Sequence, residues 1–100
     1  MEIIIKDNPE NVSVIFSGIF DTLASEQAEP AVKELEGMAS KPIIIDCNAL
    51  EYIASSGLRV LLRLRKACAA QGQQVTLSGV NKNIMEVLKV THFDRMFIMK

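Results

Sequence analysis

The chain has 100 residues, of which 49% are apolar and 23% charged, with a formal net charge of −1; this is the composition of one soluble globular domain, with no room for a second core. Such a length buries enough surface for a core without disulfide or metal staples, and the apolar content excludes a disordered chain. The first fifty residues carry nine acidic and three basic side chains and the last fifty three acidic and eight basic; with only one Tyr and four Phe and no aromatics interleaved among the basic residues, this asymmetry reads as solvated faces and not as a nucleic-acid surface.

Glu2–Lys6 is a β-branched run and Val12–Ser17 alternates apolar with polar. Between them Asp7-Asn8-Pro9-Glu10-Asn11 is rich in turn formers, so the two are expected to form a hairpin, and Gly18–Asp21 closes the second strand. From Ser25 to Ala39 the apolar residues Ala28, Val32, Leu35 and Ala39 recur at helical spacing, with Pro30 either in the first turn or kinking the start of the helix. Ser40-Lys41-Pro42 ends that helix, and Ile43-Ile44-Ile45 is the continuous apolar run of a central strand covered on both faces. Asp46–Ser56 reads as a loop with Leu50 and Ile53 pinned inward. A helix over Gly57–Gln71 closes on Gly72, Val75–Leu77 is the next strand, and Asn81 caps a helix with Ile84, Val87, Leu88 and Thr91 on one face. Arg95–Met99 reads as a last short strand. Two strands followed by alternating helices and strands, joined by right-handed crossovers, give an α/β fold: a mixed sheet of about five strands covered by about three helices, in a single domain over residues 1–100.

The longest apolar runs are too short to span a bilayer, so no direct membrane insertion is expected. Glu2 and Lys6 interrupt the start and no small-residue cleavage site follows. Cys47 and Cys68 lie in apolar surroundings and read as small buried hydrophobes. A reducing, cytoplasmic setting is therefore expected. Nor does the sequence hold a catalytic constellation. His92 is the sole histidine, and Ala54-Ser55-Ser56-Gly57 lacks the glycine that precedes the serine of a nucleophile elbow. No glycine-rich phosphate loop follows a strand and no Cys/His group has metal spacing, so neither an enzyme nor a cofactor or metal is expected.

The chemistry gathers instead around Ser55. A hydroxyl at Ser55 or Ser56 can cap the helix that follows, and Gly57 leaves room for another backbone to approach. A phosphate on Ser55 would meet the free amides and positive dipole end of that helix. Within the helix Leu58, Leu61, Leu62 and Ala69 fill one face and Arg59, Arg63 and Lys66 the opposite one. Val60, Leu64 and Ala67 widen the apolar arc, enough to pack on a neighbouring helix or to form a docking patch, and Arg65 must snorkel at its edge.

Ile43-Ile44-Ile45-Asp46 followed by Leu50-Glu51-Tyr52-Ile53-Ala54-Ser55-Ser56-Gly57-Leu58 resembles the signature of STAS domains of the anti-sigma factor antagonist kind, in which a buried strand ends in Asp and a loop delivers Asp-Ser-Ser-Gly-Leu. Gly18-Ile19-Phe20-Asp21 looks like the family's Gly-x-x-Asp, and the segment from Val75 through Thr91-His92-Phe93-Asp94-Arg95-Met96-Phe97 to Met99 is similar to its closing strand–helix–strand. The resemblance implies a protein-binding switch. The unphosphorylated antagonist sequesters an anti-sigma factor that is also a serine kinase, the kinase phosphorylates the first serine of the pair, Ser55 here, and a phosphatase resets it. The implied partner surface is Asp21, Ala54, Ser55, Ser56, Gly57 and Leu58. Two departures stand out. Ala54 replaces the family's Asp, which bears on the kinase step more than on docking, and the chain stops at Lys100 where family members continue into another helix. Ala54 also fits an alternative role, a non-phosphorylated accessory subunit of a membrane transporter or a stressosome-like scaffold. Asp46 has two open readings, satisfying nearby amides or serving the site.

Overall fold

A computed structural model describes residues 1–100. Strands β1 (Glu2–Asp7) and β2 (Val12–Phe20) form the expected antiparallel hairpin, and β3 (Ile43–Ile53), β4 (Val75–Ser78) and β5 (Ile98–Met99) add in parallel, giving one mixed sheet in the order β1-β2-β3-β4-β5. The connections carry helices α1 (Thr22–Gln27) and α2 (Glu29–Glu36), α3 (Ser55–Ala70) and α4 (Lys82–Val90), then a single 3-10 turn at Phe93–Arg95.

The core follows from the pleat. Val12, Ile43 and Val75 are in register across the sheet, as are Val14, Ile45 and Leu77, and all six are buried on one face. Val32, Leu35, Leu58, Leu61, Leu64 and Cys68 of the helices join the same core. The opposite face stays open. Ile4 and Ile15, directly paired, are about half exposed, and Ile44 is only part-covered. The expectation of a strand covered on both faces is thus corrected: the helices α1–α3 pack against one another over one face.

Four boundaries differ from expectation. The single helix over Ser25–Ala39 is two. Pro30 cannot donate to the carbonyl four residues back and its ring crowds that carbonyl, so α1 ends at Gln27 and α2 restarts with proline in its first turn. The expected loop Asp46–Ser56 is mostly strand: β3 runs to Ile53, paired to β2 as far as Phe20 through register shifts between Ile15 and Ser17 and between Gly18 and Ile19. Helix α3 starts two residues earlier than Gly57, with both serines inside its first turn. The last strand shortens to Ile98–Met99 because His92 takes a left-handed conformation and Phe93–Arg95 winds into the turn.

Other expectations hold. Helix α3 closes on Gly72, whose φ of 72° suits the left-handed cap; its N–H donates to the Ala69 carbonyl and that of Gln73 to the Cys68 carbonyl. Asn81 caps α4 by accepting the Ile84 N–H at 2.8 Å. Leu50, Ile53, Cys47 and Cys68 are all buried, and burial pushes the Cys47 thiol up to about 12. Ala69, expected on the apolar face of α3, is exposed, while the arc through Val60 and Leu64 is buried where α3 meets α1 and α2. Arg65 reaches along the surface and donates from Nε to the Met96 carbonyl. No helix is long and apolar enough to cross a membrane.

Candidate functional site

Two adjacent parallel strands end side by side, with Phe20 of β2 paired to Ile53 of β3. Each turns at once into a helix. The two turns are stitched together where the Ala54 N–H donates to the Phe20 carbonyl at 2.9 Å. Asp21 is the N-cap of α1, its carboxylate accepting the Ala24 N–H at 2.9 Å. Ala54 holds the same position for α3 but has no side chain able to cap. The sequence-based expectation of a serine cap is therefore corrected. Ser55 and Ser56 are the first two residues of the helix itself, and a hydroxyl there sits beyond the position from which it accepts a first-turn amide.

The two serines face differently. Ser55 is exposed, and Ser56 is part-covered, its hydroxyl 3.4 Å from that of Thr22. Gly57 and Leu58 point inward. A methyl group on Gly57 would lie 2.7 Å from Ile53 Cγ1, 3.0 Å from Phe20 Cγ and 3.1 Å from the Phe20 carbonyl oxygen. The space that the missing side chain leaves is filled by the protein's own Ile53 and Phe20. Leu58 is 7% exposed. Of the six residues assigned to a partner surface, Asp21, Ala54, Ser55 and Ser56 lie together at or near the surface, while Gly57 and Leu58 set the position of the helix beneath them.

Beside the serines an open groove of about 310 Å³ separates α1 and α2 from α3, with Thr22, Ser25, Glu26 and Glu29 on one wall and Ser56, Arg59 and Arg63 on the other. Arg63 bridges the wall, donating to both Glu29 carboxylate oxygens at 2.7 and 3.0 Å and to Glu36 at 2.8 Å. Hydrogen bonding from Arg63 holds the Glu29 carboxyl below its usual range. Arg59 is exposed and makes neither an ion pair nor a hydrogen bond. Sequence reasoning placed both arginines on the polar face of α3 but missed the cross-helix ties, because Glu29 and Glu36 lie 34 and 27 residues away and leave no local signal.

Asp46 serves the sheet. It accepts the backbone N–H of Asn48 at 2.9 Å and the Asn48 side-chain amide at 2.7 Å, which keeps its carboxyl below the usual range. Asn48 in turn fills the space over Gly79, where a methyl would lie 2.3 Å from the Asn48 side chain. Of its two readings, the architectural one describes these bonds. The side chains of His, Cys, Asp and Glu form no group able to hold a metal.

The family model of the STAS domain matches residues 2–100. The chain belongs to the STAS-domain family. STAS proteins similar to it include BtrV of Bordetella bronchiseptica, named as a candidate anti-sigma factor antagonist, which is 25% identical over 80 residues, 80% of this chain and 69% of its own. An anti-sigma factor antagonist from Mycobacterium paratuberculosis superposes with a TM-score of 0.84 at 18% identity, covering 98% of this chain and 83% of its own. The Bacillus cell fate determinant SpoIIAA is similar in both of its solved forms. Unphosphorylated, it has a TM-score of 0.75 at 20% identity over 99% of this chain and 87% of its own; phosphorylated, 0.75 at 17% over 99% and 91%. At these identities the superpositions establish the STAS fold, with its five-stranded mixed sheet and four helices.

Proposed function

We propose that this STAS domain is an anti-sigma factor antagonist that acts by binding, not by catalysis, in the cytoplasm. In this reading the surface formed by Asp21, Ala54, Ser55 and Ser56 captures an anti-sigma factor that is also a serine kinase. A phosphate on Ser55 breaks the capture, and a phosphatase restores it. The observation that carries the reading is the setting of Ser55: an exposed hydroxyl on a first helical turn whose backbone is fixed underneath by the Ala54–Phe20 bond and the packing of Gly57. A kinase needs the hydroxyl accessible, and a docking surface needs the backbone rigid. The names of BtrV and of the Mycobacterium protein, and the two forms of SpoIIAA, support the same role.

The switch works by charge placement. A phosphoserine carries roughly 1.5–2 negative charges at neutral pH. First-turn amides that no side chain caps can accept it without refolding, while a partner surface fitted to a neutral hydroxyl loses complementarity. The test is to incubate the protein with its cognate anti-sigma factor kinase, with and without ATP, and to measure binding by calorimetry. Peptide mass spectrometry is expected to find one phosphate, on Ser55. Ser55→Asp is expected to weaken binding at least tenfold, and Ser55→Ala to bind whether or not ATP is present. No phosphate at Ser55, together with wild-type affinity of Ser55→Asp, overturns the switch and moves the transporter-accessory or scaffold role to first place.

A further inference from the structure

The groove beside the serines holds two arginines in different electrostatic states. Arg63 is saturated by two carboxylates. Arg59, one turn closer to the serines, has none, and the first turn of α3 contains no acidic residue to offset it. Residues four apart on a helix lie on one face with their Cβ atoms about 5–6 Å apart, and helical side chains lean toward the N-terminus. Arg59 lines the groove together with Ser56, and Ser55, four residues before it, lies on the same helix face within reach of its unpaired guanidinium.

We propose that Arg59 is the built-in counter-charge of the modified site: it folds back over a phosphate on Ser55 and holds it against the chain's own helix. The proposal rests on the phosphorylation reading above and names how that state is held. A planar guanidinium can give a phosphate two parallel hydrogen bonds, a geometry that neither the compact ammonium of lysine nor a backbone amide supplies. Asp21, on the same surface as Ser55, has its carboxylate on the Ala24 N–H, and the other charged groups of the groove are accounted for. Glu29 and Arg63 are committed to each other. Glu26, on α1, is the one free carboxylate of the groove, and a phosphate with close to two charges outweighs it as a partner for Arg59. Ser56 is turned toward Thr22, which leaves the exposed Ser55 as the serine whose phosphate Arg59 serves.

The experiment installs phosphoserine at position 55 during translation, so that no kinase is needed, and follows the phosphate by 31P NMR as pH is varied. A neighbouring cation favours the dianion and lowers the second phosphate pKa from its ordinary value near ~6. The phosphorylated wild type is expected to titrate about 0.15–0.4 pH unit below the phosphorylated Arg59→Ala variant, with Arg59→Lys in between and the difference shrinking in 1 M salt. Unmodified Arg59→Ala is expected to melt with the wild type, which separates the effect from folding. Superimposable titration curves for wild type and Arg59→Ala overturn the proposal. Failure of the switch itself, a kinase that does not modify Ser55 or a phosphate that does not affect partner binding, leaves this titration unchanged, so the two can fail separately.

Discussion

Gly57→Ala sets two known effects against each other and the structure decides between them. In a solvent-exposed helix the change stabilises by about 0.8–1 kcal/mol, because alanine is the better helix former. At Gly57 the new methyl meets Ile53 Cγ1 at 2.7 Å, the Phe20 ring at 3.0 Å and the Phe20 carbonyl oxygen at 3.1 Å. None of these can yield easily. The carbonyl is held by the Ala54 N–H, the fully buried Phe20 ring packs edge-on against Phe16 at 5.4 Å, and Ile53 is 4% exposed. Overpacking of this kind costs about 1–3 kcal/mol, and three immobile neighbours put it in the upper part of that range, leaving a net loss of about 1–2 kcal/mol. For a domain of this size that lowers Tm by about 4–8 °C per kcal/mol. Thermal and urea unfolding followed by circular dichroism measure it. In an Ile53→Ala background, which removes the nearest contact, Gly57→Ala is expected to cost about 1 kcal/mol less. A Gly57→Ala protein as stable as wild type, or more so, would refute the packing argument and restore the simpler view that this glycine exists for a partner.

Ala54→Asp is expected to supply the missing cap of α3 and raise stability by about 0.5–2 kcal/mol in urea unfolding, and in the phosphorylated protein to give less, since carboxylate and phosphate compete for the same amides. Glu29 and Asp46 both have carboxyls held below their ordinary values of 4.5 and 3.8; the stability they contribute is present above those values and is lost as pH falls below them, so Glu29→Gln and Asp46→Asn are each expected to flatten the acid limb of a stability-versus-pH curve. Cys47 and Cys68 are both buried, and the Cys47 thiol is raised to about 12; a thiol reagent at pH 8 is expected to find neither in the native protein within minutes and both in denaturant.

Reading the sequence went furthest where pattern and local chemistry agree. The hairpin, the helix expected over Gly57–Gln71 with its Gly72 cap, and the Asn81 cap each depend on residues within a few positions of one another. Asp46–Ile53 lacks a strand's alternation in the sequence for a physical reason: its buried residues Cys47, Leu50 and Ile53 recur every third position, not every second. The register shifts opposite Ser17 and Ile19 on β2 produce that spacing, and they are a property of the pair, invisible in either strand alone. The contact of Gly57 with Phe20 is not legible in the sequence, since Phe20 comes near only through the β2–β3 pairing. Ala54 was legible as a substitution in a motif; that it sits at a cap position emerged only from where the helix begins.

The bond from Ala54 to Phe20 joins residues 34 positions apart, across a complete strand–helix–strand crossover. No fragment of the chain can present Ser55 in its native setting, because the loop is held from below by a strand that entered the sheet one crossover earlier. A protein that recognises this surface therefore recognises completed folding. Nascent, truncated or thermally unfolded copies carry the same serines without the surface, and under the proposed function they take no part in partner capture. The number of binding-competent molecules in that reading tracks the folding equilibrium, and a destabilising change deep under the helix lowers it in proportion to the population it unfolds.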